Sequence, residues 1–155
     1  MQQTDRTETL ESVAVILERE LAFTIKEWLR RVNLVPALTI IPLSNADRTA
    51  HLPKLFEDMF CRLRLAEGDS PSISLIAAAA HGKVRFAQGY SIALLVEESR
   101  IFEVNTFGTL HLHWRELDQS HALSDVMLIA DEADRQLTES VRSFMLFNCG
   151  QLWPS

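Results

Sequence analysis

The chain has 155 residues, 47% of them apolar and 23% charged, a composition that fits one folded domain with a sizeable core and excludes wholesale disorder. Its formal net charge of −6 argues against a phosphate-backbone partner, because basic groups such as Arg30-Arg31 and Arg62 with Arg64 are separated by acidic stretches. Five Gly and five Pro are too few for a sandwich or barrel of many short strands, so long helices are expected.

Residues Thr9 to Val32 repeat Leu10, Val13, Leu17, Leu21, Ile25, Trp28 and Val32 at intervals of three or four, which predicts one amphipathic helix. Pro36 and Pro42 make Leu34–Leu43 an extended apolar connector. Ser44 with Asp47 caps a short turn, and Pro53 suits the first turn of a helix running to about Ala66, with Leu52, Leu55, Phe56, Met59, Phe60 and Leu63 inward and Gly68 ending it. Asp69-Ser70-Pro71-Ser72 is the next start signal, before an alanine-rich helix from Ile73 to Gln88. A further helix is expected from Tyr90 to about Leu117, either continuous through a kink at Gly89 or separate. The last helix opens near Asp118 or Ser120 and runs to Gly150, with Leu123, Val126, Ala130, Ala133, Leu137, Val141 and Phe144 as a heptad-like inward stripe. The expected fold is all-α, a single bundle of four to six helices spanning 1–155 with a long C-terminal helix.

Cys61 and Cys149 are too few and too distant for a disulfide framework or a zinc site, which favours a reducing compartment. Met1 to Glu11 lacks the basic-then-apolar order of a secretory leader. The apolar stretches Leu34–Leu43 and Ile73–Ala80 fall short of the roughly 20 residues that span a bilayer. A cytoplasmic protein without a membrane partner is expected.

One segment departs from its surroundings. In Ala80-His81-Gly82-Lys83-Val84-Arg85-Phe86-Ala87-Gln88-Gly89-Tyr90, polar groups and two glycines interrupt an apolar helix. On a helix His81, Arg85 and Gln88 share a face, and Gly82 and Gly89 lie one above the other, permitting close approach of another helix at about 1 kcal/mol each relative to Ala. His81-Gly82-x-x-Arg85-x-x-Gln88-Gly89-Tyr90, followed by Leu94-Leu95-x-Glu97-Glu98-x-Arg100, resembles the core of the RsbRD-type N-terminal sensor domain, which precedes stressosome antagonist domains and some bacterial sensor histidine kinases. Trp28 and His51-Leu52-Pro53 are weaker matches to a Trp-containing helix and a Leu-Pro helix start in that family. The resemblance implies a globin-like helical input domain without established catalysis, acting through helix rearrangement in a dimer on a downstream signalling protein or domain. It places His81, Arg85, Gln88, Tyr90 and Glu98 in a polar network or a pocket for an unknown small ligand.

Alternative readings attach to the same histidine. His81 with Lys83 partly meets a histidine phosphotransfer pattern, and His81 or His111 is a candidate axial ligand of a haem sensor. His111 and His113 diverge by about 200° on a helix, so no metal pair is expected there. Glu97, Glu98 and Glu103 around Arg100 fit a solvated face better than paired catalytic carboxylates. No catalytic residue, metal or cofactor is assigned. The C-terminal stripe, with Leu137, Val141 and Phe144, is the expected homodimer seam.

Overall fold

The computed structural model describes residues 9–65 and 74–151. Among these the chain forms α1 (Val13–Arg19), α2 (Leu21–Val32), the short α3 (Pro36–Thr39) and α4 (Asn45–Thr49), α5 (Leu52–Leu63), α6 (Ile76–Ala87), α7 (Ile92–Leu112), a 3-10 turn (Trp114–Glu116) and α8 (Gln119–Gln151). The architecture is the expected all-α bundle with a long C-terminal helix, and α8 alone has 33 residues. No strand occurs among the described residues; one isolated parallel bridge joins Glu11 to Leu117. No described helix is long and apolar enough to cross a membrane.

The first helix is two helices. Glu11 is held instead by backbone bonds to Glu116 and Asp118, 2.8 Å each, and Ser12 caps α1 by accepting from the Val15 amide. At Glu20 the backbone leaves helical geometry (φ −93, ψ 11). The Thr24 hydroxyl adds a 2.9 Å bond to the Glu20 carbonyl, a back-bonding that bends helices. The predicted extended connector contains α3, with Pro36 at its first position, where a missing N–H costs nothing.

All six inward residues expected for α5 are buried or partly buried, and Leu52, Phe56 and Met59 are core. That helix ends at Leu63 rather than Ala66. Its proposed stop at Gly68 and the start signal Asp69–Ser72 lie outside the described residues, as does Ile73.

Gly89 separates α6 from α7. It sits at φ +85, the Gly89 amide bonds to Phe86 O and the Tyr90 amide to Arg85 O, both 3.0 Å. This is the Schellman pairing that ends a helix on a left-handed glycine. Gly89 is therefore not a close-packing residue: a Cβ there meets nothing within 4 Å. Gly82 is one, since its Cβ would fall 2.0 Å from the Ser140 carbonyl oxygen. Ser91 caps α7 by accepting from the Leu94 amide.

The inward face of α8 differs from the expected stripe. Leu123 is 75% exposed, whereas Ala122, Ile129, Glu132, Ala133, Gln136, Ser140, Ser143 and Phe144 are buried. Ser140 is small because α8 there meets Gly82 of α6 almost backbone to backbone, leaving no room for a larger residue. Two of the polar members find partners on facing helices: Ser140 Oγ donates to Ala78 O at 2.8 Å and Gln136 Nε2 to Leu55 O at 3.0 Å. Phe144 packs edge-on against Phe86, ring centres 5.1 Å apart.

Candidate functional site

The Gly82–Ser140 contact fixes α6 so that His81 and Arg85 point toward α4, α5 and α7. Arg85 is the keystone. Its Nε and Nη2 donate to the two oxygens of Glu98 at 3.0 and 2.9 Å. Nη1 donates to Gln88 Oε1 at 2.7 Å and reaches Asp47 O at 3.4 Å, and Nη2 also donates to Arg48 O at 2.8 Å. One guanidinium thus ties α6 to α7 and to the end of α4, with every side-chain N–H used.

Glu98 is 2% exposed. Besides Arg85 it accepts from the Tyr90 hydroxyl at 2.8 Å, and His81 Nε2 stands 3.5 Å away. Burial alone pushes the Glu98 carboxyl up, but the contacts with His81 and Arg85 outweigh it and hold it below the usual carboxylate range. Tyr90 packs its ring 4.9 Å from the Arg85 guanidinium carbon, and burial followed by the Glu98 charge raises its hydroxyl. Behind it a second buried arginine, Arg48, donates to Leu38 O at 3.1 Å and Ile41 O at 2.9 Å, so it holds the α3 segment.

His51, at the start of α5, stacks on His81 with ring centres 3.8 Å apart and planes 12° from parallel. Burial, then neighbouring His81 and Arg85, hold His51 well below the ordinary histidine range. Burial also lowers His81, against the opposing pull of Glu98. Both rings are therefore neutral near pH 7. Trp28 meets His51 edge-on at 5.6 Å.

All five residues expected in the polar network, His81, Arg85, Gln88, Tyr90 and Glu98, are brought together. Glu98 corrects the solvated-face expectation: it is buried, while its neighbour Glu97 pairs with Arg100 in the open at 2.7 Å. Sequence reasoning missed Arg48, Gln136 and Ser140, and gave no site role to His51. None shares an element with the His81 segment except through the tertiary fold. His111 is exposed, and His113 turns to Glu116 at 2.9 Å, so these two form no pair. Of the expected dimer seam, Leu137 and Val141 are half-buried, and Phe144 is core rather than seam because Phe86 covers it.

The donor atoms of His51, His81 and Glu98 lie within 4.8 Å of one another. As arranged they do not converge on an ion. A metal lies in the plane of each imidazole that binds it, and two stacked, nearly parallel rings share no such point. The Glu98 oxygens are already engaged by Arg85 and Tyr90. With His81 Nε2 at 3.5 Å as well, each Glu98 oxygen faces two partners, an arrangement that holds the carboxylate as an ion-pair partner.

Two spaces flank the histidine pair. On the inner side a chamber of about 30 Å³ is lined by Leu55, Leu95, Phe102 and Ala133, by Ser99 and Leu137, and by Gln136 and Ser140 together with the histidines and Glu98. On the outer side a cleft of about 230 Å³ opens between α4, α5 and α6, lined by Ala50, Lys54, Ala77, Ala80 and Val84. No protein-family model, curated protein or solved structure matches the chain.

Proposed function

We propose that this chain is a cytoplasmic sensory or regulatory input domain of bacterial signal transduction, which dimerises and passes a change of helix arrangement along α8 to a downstream signalling protein or domain. The observation that carries this reading is the backbone contact of Gly82 with Ser140, one residue from His81. Any change at the histidine pair that shifts α6 is transmitted to α8 without a compressible layer between them. The flanking spaces give a small ligand a place to favour one arrangement over another. The RsbRD-like motif from His81 to Arg100 supports the same assignment.

Dimerisation is proposed through the outer side of α8. Leu123 and Met127, 75% and 66% exposed, share that side with the half-buried Val141, and Leu137 stands at its edge, where it also lines the chamber. The geometry favours this reading over the others. His81 is 8% exposed, stacked under His51 and turned toward Glu98, which favours a structural role for its ring over that of a phosphoryl acceptor. A haem needs more room than either the chamber of about 30 Å³ or the cleft of about 230 Å³ that His81 lines.

Native mass spectrometry and an absorbance spectrum of the purified protein test the proposal together. A dimer without a Soret band is expected. A monomer, or a stoichiometric haem adduct, overturns it.

A further inference from the structure

Gln136 projects from α8 into the inner chamber and is 3% exposed. Its Nε2 donates to Leu55 O at 3.0 Å and to Glu132 Oε1 at 3.4 Å. Its Oε1 has no partner. A buried amide oxygen without a donor costs roughly 1–3 kcal/mol, which a donor group placed in the chamber would recover. The chamber, at about 30 Å³, exceeds the roughly 10–15 Å³ needed for one water and is too small for a ring.

His51 and His81 line both the chamber and the outer cleft, so the imidazole pair is the wall between them. The His51 ring is the looser half. It is partly exposed, and its hydrogen-bonding contact is a 3.4 Å approach of Arg85 Nη2 to Nδ1. Turning that ring outward joins a chamber that fits a head of one or two heavy atoms to a cleft of about 230 Å³, which fits a compact apolar body.

The chemistry of the two spaces selects the ligand. Gln136 Oε1 is an acceptor, Ser140 Oγ spends its proton on Ala78 O and keeps acceptor lone pairs, and the Ser99 hydroxyl can donate or accept. The Glu98 carboxylate also lines the chamber. An anionic head is therefore repelled. A cationic head passes Arg85 and Lys54, which line the cleft together with the single carboxylate of Asp47. A neutral hydroxyl or N–H group meets neither objection, and Ala50, Ala77, Ala80 and Val84 in the cleft offer an apolar body dispersion contact and few polar partners.

We propose that the chamber and cleft form one ligand site, gated by His51 against His81, for a small neutral amphiphile whose hydroxyl or N–H donates to Gln136 Oε1 and whose apolar body lies along the alanine face of α6. The site rests on the input-domain reading for its regulatory meaning, not for the binding itself.

Benzyl alcohol, benzoate and benzylamine are matched probes, followed by the side-chain NMR signals of His51, His81 and Gln136. Benzyl alcohol is expected to give saturable shifts with at least tenfold tighter binding than either charged analogue. Gln136→Met weakens it about tenfold. Ala80→Leu, an exposed change to a good helix former, fills the cleft and abolishes it even if the Gln136 variant fails to fold. No saturable shift, equal binding of benzoate, or full binding by Ala80→Leu overturns the site and leaves the chamber a water pocket. Spin labels on Cys61 and Cys149, both exposed, separate the two levels. A changed distance on binding supports ligand-driven movement of α8, and an unchanged distance with binding intact overturns the input-domain reading while supporting the site.

Discussion

Gly82 and Ser140 meet so closely that a methyl group on Gly82 would stand 2.0 Å from the Ser140 carbonyl oxygen and 2.9 Å from its Cα. All three of the nearest atoms are backbone, so no rotamer change relieves the clash. Gly82→Ala gains about 1 kcal/mol of helix propensity but forces α6 and α8 apart, which costs more than the usual 1–3 kcal/mol of overpacking. A net loss of about 2–3 kcal/mol is expected, read from the urea midpoint. Gly89→Ala makes the instructive contrast. It has open space and loses only about 1–2 kcal/mol, from left-handed backbone strain. Equal losses at the two glycines would sink the distinction between a packing and a conformational role.

Arg85 and Glu98 form a buried two-pronged pair in which each partner is nearly saturated. Removing one charge leaves the other buried and uncompensated, a situation that costs about 3–5 kcal/mol. Arg85→Met and Glu98→Gln are each expected to lose that much. The double variant Arg85→Met with Glu98→Met should lose clearly less than the sum of Arg85→Met and Glu98→Met, because no orphan charge remains. Additive losses in this double-mutant cycle, measured by denaturant unfolding, would show that the pair does not act as a unit.

The helices and the His81 to Tyr90 cluster were legible because each rests on local information. Intervals of three and four mark a helix face, and His81, Arg85 and Gln88 share such a face within one segment. What stayed hidden depends on partners distant in the chain. Glu98 looks like the middle of an acidic surface run until Arg85 is placed opposite it. The inward face of α8 was misread because hydrophobic spacing selects Leu123 and Val141, whereas the close approach at Gly82 admits only a small residue such as Ser140. His51 offered no local signal beyond its place before a Leu-Pro helix start. Its role comes from stacking on a residue 30 positions away.

Glu132 is fully buried on α8, with Arg135 at 3.2 Å and Gln136 Nε2 at 3.4 Å. Burial raises its carboxyl above the ordinary glutamate range, so in the fold the charged form is disfavoured relative to the unfolded chain. Such a group costs stability at neutral pH, and the cost disappears once the pH falls below its unfolded value near 4.3. Glu132→Gln keeps an oxygen to accept from Gln136 and removes the charge. It is expected to raise the urea midpoint at pH 7 by the equivalent of about 1 kcal/mol, with a smaller gain at pH 4. A variant less stable than the parent at pH 7 would mean that the Arg135 pairing outweighs desolvation.

The stacked His51 and His81 make the opposite contribution to acid stability. Both folded values are depressed by burial, so below the unfolded value near 6.5 the unfolded chain takes up protons that the folded chain refuses. Stability is complete above about pH 6.5 and falls as the pH drops beneath it, by up to about 1.4 kcal/mol per pH unit for each histidine. Protonating either ring also places a charge beside Arg85, against which Glu98 is already committed. His51→Phe preserves the stack against His81 and removes one titrating group, so its unfolding free energy should decline less steeply between pH 6.5 and 5 than that of the parent. His81→Phe loses the contact to Glu98 as well and should start lower while showing a similarly reduced slope. Identical slopes for parent and both variants across that interval would show that some other group carries the acid response.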